Sequence, residues 1–146
     1  MNPTHPLSPL DETHDPGRRS WVTSANEAGG DFPIQNLPFG VFVRPGTEDW
    51  PRVGIAIGDQ VLDVAEALDA ELLEGVGAEA CDAPDLNALL SLDAEAWTEL
   101  RKQVSELLSE GGARAADGQA HAHRILVPQA EVEMVLPMEV GDFTDF

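Results

Sequence analysis

Basic residues are scarce in this sequence, which has 8 Lys and Arg against 27 Asp and Glu and a formal net charge of −19. A surface this negative repels the phosphates of nucleic acids and the headgroups of anionic lipids. We therefore expect neither nucleic acid nor a membrane surface as a partner. The charge favours solubility, but by itself it indicates neither a fold nor a function.

Cysteine is nearly absent as well, since Cys81 is the single cysteine of the 146 residues. One cysteine excludes a disulfide within the chain and is typical of a reducing compartment. Asp82 follows Cys81 directly, and an acidic neighbour disfavours the thiolate that a nucleophile needs. We interpret Cys81 as an ordinary small residue without a catalytic role.

Long apolar runs are missing too, because no stretch approaches the ~20 consecutive apolar residues of a transmembrane helix. Residues 4–15 mix Pro and His with acidic residues, unlike the apolar centre of a secretory signal peptide. These absences together predict a cytoplasmic protein.

Hydrophobic residues make up 42% of the chain, which is enough for one globular domain. Residues 1–20 do not share this character, because they are polar and contain four prolines. We expect them to form a flexible leader in which His5 and His14 are solvated. The folded domain is then expected to span residues 21–136.

The clearest local pattern is a β-hairpin. Apolar residues alternate over residues 53–57 and again over residues 60–64, with Gly58 and Asp59 between them. Glycine readily takes the positive φ that a two-residue hairpin turn requires. Pairing across this turn places Ile55 opposite Leu62 and, two pairs further out on the same face, Val53 opposite Val64.

Helices are predicted to follow the hairpin. Residues 65–92 are rich in Ala, Leu and acidic residues and indicate short helices, broken at residues 75–77 and at Pro84. Asp93 is a suitable N-cap for a longer helix over residues 94–109. The apolar residues of that helix fall on one face, which is typical of core packing. They are Trp97, Leu100, Val104, Leu107 and Leu108.

The last third of the chain is predicted to contain a loop at residues 113–122 and strands at residues 125–127 and 132–136. His121 and His123 end the loop, and no third metal ligand lies near them in sequence. The fold class that emerges is mixed and mainly β: a small barrel with short helices and one longer helix.

Three segments together resemble the N-terminal region of the fumarylacetoacetases. They are residues 31–42, residues 51–63, and residues 136–137 with 140–146. Residues 86–89 and Trp97 lie between them, and the order and spacing of all these segments match that family. The resemblance implies a small SH3-like barrel followed by a larger catalytic domain that dimerises. It also implies hydrolysis of 4-fumarylacetoacetate to fumarate and acetoacetate, the last step of tyrosine breakdown.

The resemblance places one metal ligand in this chain. In the family, the second Asp of the motif at residues 141–146 binds the metal, and it matches Asp145 here. The implied cofactor is Ca²⁺ or Mg²⁺, which prefer carboxylate oxygens, and a divalent cation can offset the negative charge that develops on a cleaved diketone. No ligand role is carried over to Asp142, and His121 and His123 precede the motif.

We therefore expect residues 137–146 to begin a truncated catalytic domain, and the chain alone to be inactive. The expected partners of the complete protein are a small diketo acid, its own catalytic domain and a second subunit. Without them, the domain is expected to expose apolar surface and a strand edge. Two alternatives stay open: a stand-alone binding or assembly domain without catalysis, and a hydrolase acting on another diketo acid.

Overall fold

The computed structural model describes residues 12–30, 32–46 and 50–135. Within them, five strands form one antiparallel sheet in the order β4-β3-β2-β1-β5. The strands are β1 (Phe39–Val43), β2 (Arg52–Ile57), β3 (Gln60–Asp63), β4 (Leu126–Pro128) and β5 (Glu133–Val135). The sheet curves into a half-barrel, which leaves β4 and β5 as its edges.

The predicted hairpin joins β2 to β3. Ile55 lies opposite Leu62, as expected, and the turn residue Gly58 has a φ of +58°. The expected pair of Val53 with Val64 is wrong, because β3 ends at Asp63 and a helix begins at Val64.

Six α-helices are found in the described residues. They are α1 (Val64–Asp69), α2 (Val76–Ala80), α3 (Asn87–Leu90), α4 (Ala94–Leu108), α5 (Ala115–Ala120) and α6 (Ala122–Ile125). The longest has 15 residues, and none in this part of the chain combines the length and apolarity needed to cross a membrane. The mixed, barrel-like fold with short helices and one longer helix is thus confirmed.

The longer helix, α4, begins at Ala94, directly after the predicted N-cap Asp93. The carboxylate of Asp93 accepts a hydrogen bond from the backbone N–H of Ala96 at 3.0 Å, which satisfies one of the unpaired donors at the start of α4. Its apolar face packs against the sheet and the short helices, and Leu100, Val104 and Leu107 are buried there. Burying a side chain of this kind contributes about 1.5–3 kcal/mol each.

The opposite face of the sheet carries a second, smaller apolar layer. Phe42 and Val61 are buried on it, and Gly54 lies between them. A Cβ atom at position 54 would lie 2.5 Å from Cγ1 of Val61 and 2.8 Å from Cδ1 of Phe42. A glycine at this position therefore allows the Phe42 ring to lie directly on the sheet.

The loop predicted for residues 113–122 is wrong, because α5 and α6 occupy most of it. Gly118 lets α5 approach α4 closely: a Cβ there would lie 2.8 Å from the carbonyl oxygen of Leu107 and 3.0 Å from the Trp21 ring. Asp117 and Gly118, in the middle of the predicted loop, are thus part of a short helix that packs on α4.

Residues 12–20, which the sequence assigns to the leader, contact the folded domain. Thr13 and Ser20 are buried, and the Ser20 hydroxyl donates to the carbonyl oxygen of Leu108 at 2.6 Å. The guanidinium of Arg18 donates to the Ser105 hydroxyl at 2.6 Å. Residues 12–20 are therefore packed against α4 and do not extend freely into solvent. The domain boundaries predicted from the sequence stay predictions.

Candidate functional site

The predicted metal ligand, Asp145, lies outside the described residues, together with Asp142. The structure does place the strand that precedes them, since β5 pairs with β1 and brings Val135 opposite Val41. The metal-binding role of Asp145 therefore stays a prediction.

Histidines in the described part of the chain are not arranged around a metal. Nδ1 of His121 lies 2.9 Å from the carbonyl oxygen of Asp117, one helical turn earlier, and His123 is exposed. Across residues 12–30, 32–46 and 50–135, no group of three or more His, Cys, Asp and Glu side chains could hold a metal ion.

Cys81 is fully buried at the C-terminal end of α2. Burial raises the pKa of its thiol from 9.0 to about 12, because the surrounding apolar side chains disfavour the charged thiolate. A thiol in this state is neither nucleophilic nor exposed to a substrate at neutral pH.

A network of ion pairs is centred on Asp63. This residue is 1% exposed, and its carboxylate accepts a hydrogen bond from Nε of Arg52 at 2.7 Å, while Arg44 approaches it at 3.7 Å. The other carboxylate oxygen accepts from the backbone N–H of Glu66 at 3.2 Å and so caps α1.

The network continues from Glu66 to α6. Arg52 lies 3.3 Å from one carboxylate oxygen of Glu66, and Nε of Arg124 lies 2.7 Å from the other. Arg124 also contacts Asp69. These pairs connect β2, α1 and α6, so the carboxylates act as structural partners of guanidinium groups.

Sequence reasoning missed this network, although one signal could have found it. The hairpin register places Gly54 opposite Asp63, and Arg52 points to the same face of the sheet as Gly54 because it lies two residues earlier. A diagonal pair of this kind is within reach of a long side chain.

Large apolar side chains are exposed at four places in the described part of the chain. They are Trp50 (80% exposed), Val76 (64%), Met134 (58%) and Leu90 (47%). Met134 lies on β5, an edge strand, and Trp50 precedes β2. Exposed apolar surface and a strand edge were both expected of this domain.

Comparison with known proteins extends the sequence resemblance. The family model described as "Fumarylacetoacetase N-terminal" matches residues 35–137, which is more than half of the chain. Proteins named fumarylacetoacetase are similar over most of the chain: one from Oryza sativa subsp. japonica is 42% identical over 89% of it, one from Bos taurus 40% over 87%, and one from Homo sapiens 39% over 80%.

The matched regions are a minor part of those relatives. The chain spans 32% of the Oryza protein, 30% of the Bos protein and 28% of the human protein. The family match covers the hairpin, the ion-pair network and α4, the features that define the fold described above. The chain therefore belongs to the fumarylacetoacetase family and corresponds to the N-terminal domain of that family's proteins.

Proposed function

We propose that this chain is the N-terminal domain of an enzyme that hydrolyses 4-fumarylacetoacetate to fumarate and acetoacetate in tyrosine catabolism. The observation that carries the proposal is the identity of about 40% to several proteins named fumarylacetoacetase over most of the chain. The parent protein is accordingly a hydrolase, and we place it in the cytoplasm, in agreement with the single cysteine of this chain.

The reaction splits a carbon–carbon bond of a β-diketone with water, and the departing fragment is an enolate. Catalysis therefore requires a base for the water and a group that stabilises negative charge on the diketone oxygens. Asp145 fits the oxygen-donor chemistry of Ca²⁺ or Mg²⁺, and it would hold such an ion together with ligands from the rest of the enzyme. When bound, the ion would supply the stabilisation of negative charge.

The described residues support a structural role for this domain and not a catalytic one. Cys81 is buried and protonated, and the ion-pair network engages the carboxylates of Asp63 and Glu66 with arginines. No group of three or more potential ligands in the described ranges could hold a metal ion. We propose that residues 1–146 alone do not hydrolyse the substrate, and that the complete enzyme is a homodimer.

The test is an assay of the complete gene product and of residues 1–146 with 4-fumarylacetoacetate, with fumarate and acetoacetate measured by chromatography. We expect activity in the complete protein, its loss in chelator and its recovery with Ca²⁺ or Mg²⁺. Residues 1–146 are expected to give no product above the buffer rate. Turnover by residues 1–146 would refute the structural role.

Asp145 is tested in the complete protein by Asp145→Asn. The matched control is Asp142→Asn, three residues earlier in the same sequence motif. The Asp145 variant is expected to lose at least ~100-fold in metal affinity, measured by equilibrium dialysis, because a neutral amide replaces a charged ligand. The Asp142 variant should stay within ~3-fold, since no ligand role is assigned to it. Equal losses in both variants would remove the assignment of Asp145.

Two measurements separate the alternatives. An intact mass of the native gene product close to 15.7 kDa would favour a stand-alone binding or assembly domain over an enzyme. Activity of a larger product on another diketo acid, with none on 4-fumarylacetoacetate, would keep the hydrolase and change its substrate.

A further inference from the structure

A groove of about 700 Å³ lies between α2 and α4, away from the strand edge and from the ion-pair network. Its floor is apolar, with Leu100 buried and Leu92 half-buried. Val76 stands at the rim and is 64% exposed, a large fraction for a valine beside a concave surface.

The rim of the groove has one sign of charge. Four carboxylates border it, and no Lys or Arg is among the residues that line it. The carboxylates belong to Glu74, Asp93, Glu95 and Glu99. An apolar floor inside a ring of negative charge attracts a ligand that is both apolar and cationic.

The walls of the groove are held in place before any ligand binds. The side-chain amide of Gln103 on α4 accepts from the backbone N–H of Glu74 at 2.9 Å and donates to the carbonyl oxygen of Glu74 at 2.8 Å. Gly77 brings α2 against α4, because a Cβ there would lie 3.1 Å from the carbonyl oxygen of Ala96. A preformed groove avoids part of the ordering cost of binding.

We propose that this groove binds a basic amphipathic helix of a partner protein. The wall formed by α4 from Asp93 to Gln103 is about 15 Å long, which matches about ten residues of helix. Leu or Ile side chains at helical spacing would contact Val76 and the floor, and Lys or Arg on the flanks would face the four carboxylates. A second copy of this chain is disfavoured as occupant, because each copy carries a net charge of −19. This proposal does not depend on the hydrolytic reaction.

The test uses residues 1–146 and a fluorescent peptide of about 14 residues, with Leu at positions i, i+3, i+4 and i+7 and Lys on the flanks. One control peptide has Ser in place of Leu, and another has Glu in place of Lys. Binding is followed by fluorescence anisotropy. Amide chemical-shift changes locate the bound peptide, and we expect them at Gly75, Gly77 and Leu92, with none at Gly111.

Two variants address the two parts of the proposal, and each has a matched control. Val76→Glu should weaken binding by about tenfold or more, because it places a charge in the apolar contact, whereas Trp50→Glu should leave it within ~2-fold. Glu95→Gln combined with Glu99→Gln should weaken binding about three- to tenfold. The charge-matched control is Glu131→Gln combined with Glu133→Gln, both exposed and outside the groove.

Circular dichroism of each variant confirms that it is folded. The proposal is overturned if the Ser peptide or the Glu peptide binds as tightly as the Leu–Lys peptide, or if Val76→Glu and Trp50→Glu have equal effects. It is also overturned if sedimentation shows a dimer that Val76→Glu dissociates, because the groove would then be an interface between two copies.

Discussion

Asp63 is the residue whose substitution tests the structure most directly, because its carboxylate has two roles. One oxygen caps α1, and the other lies 2.7 Å from Nε of Arg52 in a position that is 1% exposed. Asp63→Ala removes the cap and leaves two arginines beside a cavity without their carboxylate. Asp93→Ala is the matched control, since Asp93 caps α4 through a comparable hydrogen bond but is exposed.

The expected magnitude follows from the two roles. Loss of a helix N-cap costs about 1 kcal/mol, and that is the whole effect expected for Asp93→Ala. Removal of one partner of a buried ion pair costs about 3–5 kcal/mol when the other charge stays buried. The side chains of Arg52 and Arg44 are 26% and 36% exposed, so water relieves part of this cost. We expect about 3 kcal/mol in total for Asp63→Ala, and about 2 kcal/mol for Asp63→Asn, whose amide oxygen can still cap the helix.

The assay is urea unfolding of residues 1–146 and the three variants, monitored by circular dichroism and Trp fluorescence. Coincidence of the two signals supports two-state analysis. A free-energy loss for Asp63→Ala equal to that of Asp93→Ala would refute the reasoning, because the buried ion pair would then contribute nothing. A loss for Asp63→Asn as small as ~0.5 kcal/mol would refute the charge-based part alone.

Two further predictions rest on single contacts in the core. Because burial raises the pKa of Cys81 from 9.0 to about 12, the contribution of this thiol to the unfolding free energy should be fully present below pH 9 and be lost as the pH rises towards 12, since the unfolded chain releases the thiol proton first. Cys81→Ala should remove this loss, which amounts to about 2 kcal/mol at pH 10.5. The chain has no Tyr, so few other groups titrate in this pH range. An unchanged slope of unfolding free energy against pH in the variant would contradict the prediction. Gly54→Ala should lower the unfolding free energy by about 1–3 kcal/mol, because the added Cβ would overlap Phe42 and Val61. Gly17→Ala is the control, and it should lower the unfolding free energy by under ~0.5 kcal/mol, because the nearest atom to its Cβ is 3.4 Å away. Equal losses in urea unfolding would argue against the overlap at position 54.

The hairpin and α4 could be predicted because their signals are local. The Gly58–Asp59 turn and alternating apolar residues determine the hairpin register within about a dozen residues, and the Asp93 cap begins α4. Position 58 requires glycine for a second reason, which the sequence does not show. A Cβ there would lie 2.2 Å from the Ser24 hydroxyl, because the turn packs on residues 23–26.

Other features could not be predicted because they depend on contacts between distant parts of the chain. The helix α5 contains Gly118, which lowers its intrinsic helix propensity, and it forms because the glycine fits against Leu107 and Trp21. Residues 12–20 resemble a leader in composition, but Arg18 and Ser20 join them to α4 more than 80 residues later. For the candidate metal site, the family motif supplied Asp145, and the described residues do not include it.

The same excess of acidic residues should make domain stability and peptide binding respond to salt in opposite directions. With a net charge of −19, the folded state carries self-repulsion that salt screens, because the Debye length falls from about 10 Å at 0.1 M to about 3 Å at 1 M. The unfolding free energy should therefore rise with NaCl concentration. The carboxylates around the groove attract a cationic helix through the same field, so the Leu–Lys peptide should bind more weakly as NaCl increases. A Kd that does not change with salt would mean that the acidic rim takes no part in recognition, even if the peptide lies in the groove.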